Sequence, residues 1–155
     1  MIRMFLWILC GLLLSLKGWA SESTTDLFLK QYLNQSQASQ SKVLWLNQSL
    51  KKRAATILGH SYQGLRVRYW QDGVRTAWIL DEIGKEQPIT TGIIIENNKI
   101  VAMQVLVYRE SRGGEVQQDF FTKQFKNITG ATLSVWALQK MARLALLFDA
   151  QKTAS

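Results

Sequence analysis

Three turn signals divide the stretch from Leu65 to Glu110 into short apolar segments, and this pattern constrains the fold more than any other in the chain. LRVRYW, from Leu65, alternates apolar and charged residues as a half-buried strand does. Gln71-Asp72-Gly73 then turns the chain, with glycine where a positive φ is easiest. Val74 to Leu80 reads as a second strand and Ile83-Gly84-Lys85 as a second turn. Pro88 opens a third strand, ITTGIIIE, and Asn97-Asn98 leads into a fourth, KIVAMQVLVYRE. Consecutive strands joined by such short turns must pair antiparallel, because a parallel pair needs a long crossover.

The flanks carry the helical period. Asp26 to Ser39 predicts a polar helix with Leu27, Phe28, Tyr32 and Leu33 on one side, broken at QSQASQS. Val43 to Leu58 predicts a second helix, with Gly59 as its stop. QQDFFTKQF predicts a short helix grouping Phe120, Phe121 and Phe125. From Thr132 onward, Leu133, Trp136, Ala137, Met141, Leu144 and Phe148 recur at three- and four-residue spacings and predict a long helix with those residues on its core face. The expected fold class is α+β: a single antiparallel sheet of hairpins with helices packed on it, preceded by a signal peptide and N-terminal helices.

The signal peptide is read in residues 1–20, MIRMFLWILCGLLLSLKGWA. Arg3 starts it, an apolar run from Met4 to Leu16 follows, and Gly18 and Ala20 put small residues before the expected cleavage point. The alternative is an uncleaved signal that anchors the chain in the inner membrane, although the run is short for a span of about 20 residues. Residues 21–59 form the expected N-terminal helical segment, and residues 60–151 the main domain. The single cysteine, Cys10, leaves with the signal, so the mature chain has no disulfide, thiolate ligand or cysteine nucleophile. Arg3 and Lys17 leave too, lowering the formal charge from +8 to +6. Such basicity suits anionic partners, among them phosphate cofactors and membrane surfaces, or is a solvated surface. Scattered Lys and Arg in an exported chain argue against nucleic acid.

Few residues could carry chemistry. The one histidine, His60, follows the Gly59 helix stop and reads as structural or surface. Asp81, Glu82 and Glu86 sit at a strand end and turn, where hairpin solubility explains them. No nucleophile elbow, P-loop or dinucleotide fingerprint is present. What remains is NITGATLSVWAL, Asn127 to Leu138, where small and hydroxylated residues run into a helix. Thr132 could be a plain N-cap. The plain N-cap is the simpler reading of TGAT alone; the other is a phosphate site, where unpaired N–H groups and the helix dipole favour an anion and Gly130 and Ala131 permit close approach.

RVRYW, RTAWILDEIGKEQPITTGIIIE, VLVYRESRGGEV, FFTKQF and ITGATLSVWALQKMARLAL, in that order, resemble the family of FMN-binding domains found in exported flavoproteins. That family includes the covalent-FMN domains of the sodium-translocating NADH:quinone oxidoreductase and of the Rnf complex, and this chain is similar to its small single-domain members. The resemblance implies FMN as cofactor and an FMN-binding domain over residues 60–151. It implies that Thr132 carries the FMN phosphate through a phosphodiester bond, with Thr129, Gly130 and Ala131 completing the motif and Ser134 in the turn after it. A flavin transferase would make that link from FAD. Glu110, Ser111, Gly113 and Gly114 resemble a family loop that lies near the flavin.

The resemblance further implies an electron-transfer protein rather than an enzyme in its own right, working in the periplasm with a membrane redox protein as donor or acceptor. The sequence departs from the family where an aspartate usually precedes the motif; Lys126 stands there. The alternative is therefore a non-covalent FMN-binding or partner module. Trp78, Tyr108, Phe120 and Phe121 could stack on a flavin, but their strand and helix spacings suit a core better.

Overall fold

A computed structural model of the chain describes residues 22–38, 40–111 and 132–152. Ser23 opens the first helix, α1 (Thr24–Tyr32), through a reciprocal cap. Its hydroxyl accepts the Asp26 N–H at 3.1 Å, and the Asp26 carboxylate accepts the Ser23 N–H at 3.3 Å. Leu33 then turns extended, the Asn34 N–H donates to Asp72, and a one-turn helix α2 (Gln35–Ala38) follows. The helix expected over Asp26–Ser39 is thus two pieces.

The helix expected over Val43–Leu58 is also corrected. Its start is a strand, β1 (Lys42–Trp45), and α3 covers only Gln48–Leu58. Asn47 decides the boundary, because its side chain accepts the Leu50 N–H at 2.8 Å and so caps the helix there. Gly59 ends α3 as expected, at φ 79°, with its N–H on the Ala55 carbonyl.

The hairpins form as the turn signals require: β2 (Arg66–Asp72), β3 (Arg75–Ile83), β4 (Pro88–Glu96) and β5 (Lys99–Val107). Gly73 sits at φ 57°, and Asn97 and Asn98 at 51° and 60°, the mirror-type geometry that suits strand twist. A long helix, α4 (Thr132–Gln151), closes the chain. The sheet runs β1-β2-β3-β4-β5, antiparallel throughout, so the fold is α+β with one sheet. The proposed signal peptide and the helix expected around Phe120, Phe121 and Phe125 lie outside the described residues.

Helices cover both faces of the sheet. On one face α3 and α4 bury Leu50, Ala54, Leu138, Met141, Leu144 and Phe148 against Trp78, Ile93 and Met103. On the other, Phe28 and Leu29 of α1 meet Ala77, Ile94 and Leu106. Two-sided cover explains why β4 reads as a near-continuous apolar run rather than an alternating one. Trp78 is fully buried in the first of these cores, stacked on Tyr69 at 4.9 Å, and Tyr108 packs against its margin. Among the described residues no helix is long and apolar enough to cross a membrane.

Candidate functional site

The direction of α4 decides which end of the molecule can hold a site. Asp149, near its C-terminus, accepts a hydrogen bond from Thr76 at the start of β3. Lys140, just before its midpoint, lies 3.4 Å from Glu82 at the end of β3. The helix therefore runs antiparallel to β3. Thr132 lies eight residues before Lys140, about 12 Å further along the axis at 1.5 Å per residue. That places the start of α4 at the end of the sheet where the β3–β4 turn lies.

The exit of β5 reaches the same end. Oε1 of Glu110 accepts the backbone N–H groups of Lys85, Glu86 and Gln87 at 2.5, 2.9 and 3.2 Å. These bonds hold the Glu110 carboxyl below its ordinary pKa, the Glu86 N–H most strongly, against some desolvation and helped by the other two N–H groups and the Lys85 charge. Glu110 thus ties the β3–β4 turn to the point where the chain leaves the sheet, and Ser111 follows it, exposed. The segment bearing the expected site residues thus leaves the sheet at the end toward which α4 starts. Gly113, Gly114, Thr129, Gly130 and Ala131 lie outside the described residues. For Thr132 and Ser134 the helical backbone is described.

Behind this end lies a cluster that sequence reasoning missed. Glu82, assigned above to hairpin solubility, has a side chain only 5% exposed. His60 Nε2 lies 3.1 Å from Glu82 Oε1 on one side, with Lys140 on the other. The correction has a plain cause: Glu82 shares the inward side of β3 with Trp78 and Leu80, where a carboxylate needs partners. Its even spacing from those residues was the available signal. Trp136 is corrected in the opposite sense. It is 57% exposed, off the core face, and lines a shallow cleft of about 220 Å³ with Ile57, Gln139, Lys140 and Arg143. Among the described residues no group of acidic or histidine side chains could hold a metal ion.

The residues present fit a phosphate-bearing group. The first turn of the 20-residue α4 contains no acidic residue. A helix start carries N–H groups without intrahelical partners and the positive end of the dipole, which favour an anion, and no acidic residue of that turn counters them. The result is an α+β domain whose long helix α4 offers an anion-receptive start toward the end of the sheet that holds a clamped hairpin turn. Residues 84–147 match the sequence model of the FMN-binding domain family, from the Gly84 turn through β4 and β5 into α4. The match supports a small FMN-binding domain protein with FMN as its cofactor. No curated protein and no solved structure matches it.

Proposed function

We propose that the protein is an exported electron-transfer flavoprotein whose FMN is attached through a phosphodiester to Thr132. The observation that carries this reading is the position of Thr132 as the first residue of α4, in TGAT, within the FMN-binding match. In the attachment, the Thr132 hydroxyl gives up its proton and forms a bond to the FMN-side phosphorus of FAD. AMP leaves, so each chain gains one FMN less water. A transferase would supply the catalysis. The start of α4 would orient the phosphate, and Glu110 would hold the neighbouring turn in place.

Bound FMN supplies electron-transfer chemistry. Outside the cytoplasm a covalent bond keeps a cofactor that dissociation would lose by dilution. A membrane redox protein, acting as donor or acceptor, completes the reading, in the manner of the covalent-FMN domains of the sodium-translocating NADH:quinone oxidoreductase and of the Rnf complex.

Lys126 favours a second reading, in which FMN binds reversibly because the motif aspartate is absent. Intact mass and in-gel flavin fluorescence separate the two. The chain is exported from cells with and without an active flavin transferase, beside Thr132→Ala. A mass gain of FMN less water that needs both transferase and Thr132 supports the covalent carrier. Flavin that dialysis or denaturation removes supports reversible binding, and a flavin-free protein sinks both.

A further inference from the structure

Three of the large apolar side chains left in solvent gather at one end of the sheet. Trp45 at the end of β1 is 65% exposed, Leu65 just before β2 67%, and Ile83 at the end of β3 59%. The sheet register brings these three positions to the same end: Trp45 pairs with Arg66, and the Leu46 N–H donates to the Leu65 carbonyl. It is the end that also holds the β3–β4 turn and the start of α4. Isolated exposed apolar residues need no explanation, but a tryptophan, a leucine and an isoleucine on one rim do.

The charge around the rim points to what covers it. The Arg66 guanidinium lies over the Trp45 ring, 5.7 Å from its centroid, and Arg68 is exposed on the same face of β2. Among the described residues, the carboxylates at this end are already engaged. Asp81 accepts from Thr90, Glu82 is held by His60 and Lys140, Glu86 faces Lys85, and Glu110 binds backbone N–H groups. An apolar rim with an indole and outward guanidinium groups matches the boundary of a bilayer. There Trp settles at headgroup depth, aliphatic tips enter the acyl region and Arg meets lipid phosphate.

We propose that Trp45, Leu65, Ile83 and Arg66 form a docking rim that seats the protein on an anionic lipid bilayer, with the start of α4 turned toward the membrane. The lipid contact goes beyond the flavin reading and stands without it. With FMN on Thr132, the rim would hold the flavin end within reach of a membrane redox partner.

The test is co-sedimentation of the chain from Ser21 onward, which contains every described element, with vesicles. One set contains phosphatidylglycerol and phosphatidylethanolamine, the other phosphatidylcholine alone. Flavin-free and flavin-loaded protein are run side by side, so failure of the flavin reading leaves this measurement intact. The expected result is binding to the anionic vesicles only, weakened by salt. Trp45→Ala, Leu65→Ser and Ile83→Ser should each lower it, together by more than about tenfold. Val74→Ser, exposed at the opposite end, should leave it unchanged. Thermal midpoints identify any variant that fails to fold, and the remaining two then carry the test. No binding by the parent chain overturns the proposal, as does binding that the rim variants leave intact. A dimer that the rim variants disperse, without vesicle binding, would give the rim to a second copy and overturn it too.

Discussion

The Cβ that Gly84 lacks would lie 2.6 Å from Oε1 of Glu110 and 2.8 Å from Cδ1 of Ile89. The turn closes over the carboxylate so tightly that only hydrogen fits between them. Gly84→Ala should push the Glu110 carboxylate out of the three N–H groups, because buried Ile89 cannot yield. We expect a loss of about 1–3 kcal/mol in urea unfolding. Flavin loading should fall with it if the turn supports the cofactor. A Gly84→Ala protein as stable as the parent would show that the turn gives way freely.

Glu110 also makes this end sensitive to acid. Its folded-state pKa lies below the ordinary value, with the Glu86 N–H as the largest cause. The stabilisation is therefore fully present above the unfolded-state pKa, about 4.3, and is lost as pH falls through the lower folded-state value. Glu110→Gln should lower the thermal midpoint at pH 7, and the gap between variant and parent should close below about pH 4. A gap that persists undiminished to the acid limit would remove the ionised carboxylate from the account.

On the other face of the sheet, a Cβ on Gly92 would meet the Phe28 ring at 2.5 Å. Phe28 is buried and carries much of the contact between α1 and the sheet. Gly92→Ala should cost about 1–3 kcal/mol by overpacking, and Phe28→Ala about 3–5 kcal/mol by leaving a cavity. The two sites share one contact, so Phe28→Leu should be less damaging in the Gly92→Ala background than alone. A double-mutant cycle in denaturant reads the coupling directly, and strict additivity would mean that α1 shifts as a body.

The parts of the fold that were legible in the sequence are those with a local cause. Gly73 and Asn97-Asn98 announce their turns because few other residues adopt positive φ, and Ala137, Met141, Leu144 and Phe148 repeat at the helical period. β1 was not legible. Val43-Leu44-Trp45 is too short for its alternation to be told from the start of a helix, and the cap at Asn47 carried the only boundary signal. In the candidate site, the helix start at Thr132 could be read from small residues before an apolar period. The role of Glu110 could not, because its partners, Lys85 to Gln87, are brought to it only by the pairing of β4 with β5. Trp136 shares the helical spacing of the core residues, yet it is exposed and lines a cleft with Ile57 of α3, which spacing alone does not reveal.

Asp149 shows the same dependence on distant partners. It is buried and accepts from the Thr76 hydroxyl at 2.5 Å, the Trp78 indole N–H at 3.3 Å and the Lys152 ammonium at 2.6 Å. Removing the carboxylate by Asp149→Ala strands the Lys152 charge and takes a partner from Thr76 and Trp78. A loss of about 3 kcal/mol is expected. Urea unfolding followed by tryptophan fluorescence would check it, and a loss well under about 1 kcal/mol would mean that water replaces the carboxylate.

Lys126 offers the sharpest test of the covalent reading, because it alters the motif without touching Thr132. In the resembling family an aspartate occupies that position, so a transferase that reads it should modify Lys126→Asp more completely than the parent at equal transferase levels. We expect the flavin-bearing fraction in intact-mass spectra to rise several-fold, or to reach completion if it is already high. Thr132→Ala combined with Lys126→Asp should carry no adduct. A lower fraction in Lys126→Asp would show that this chain is read by a transferase adapted to lysine. An adduct that survives in the double variant would move the attachment to another residue and remove Thr132 from the proposal.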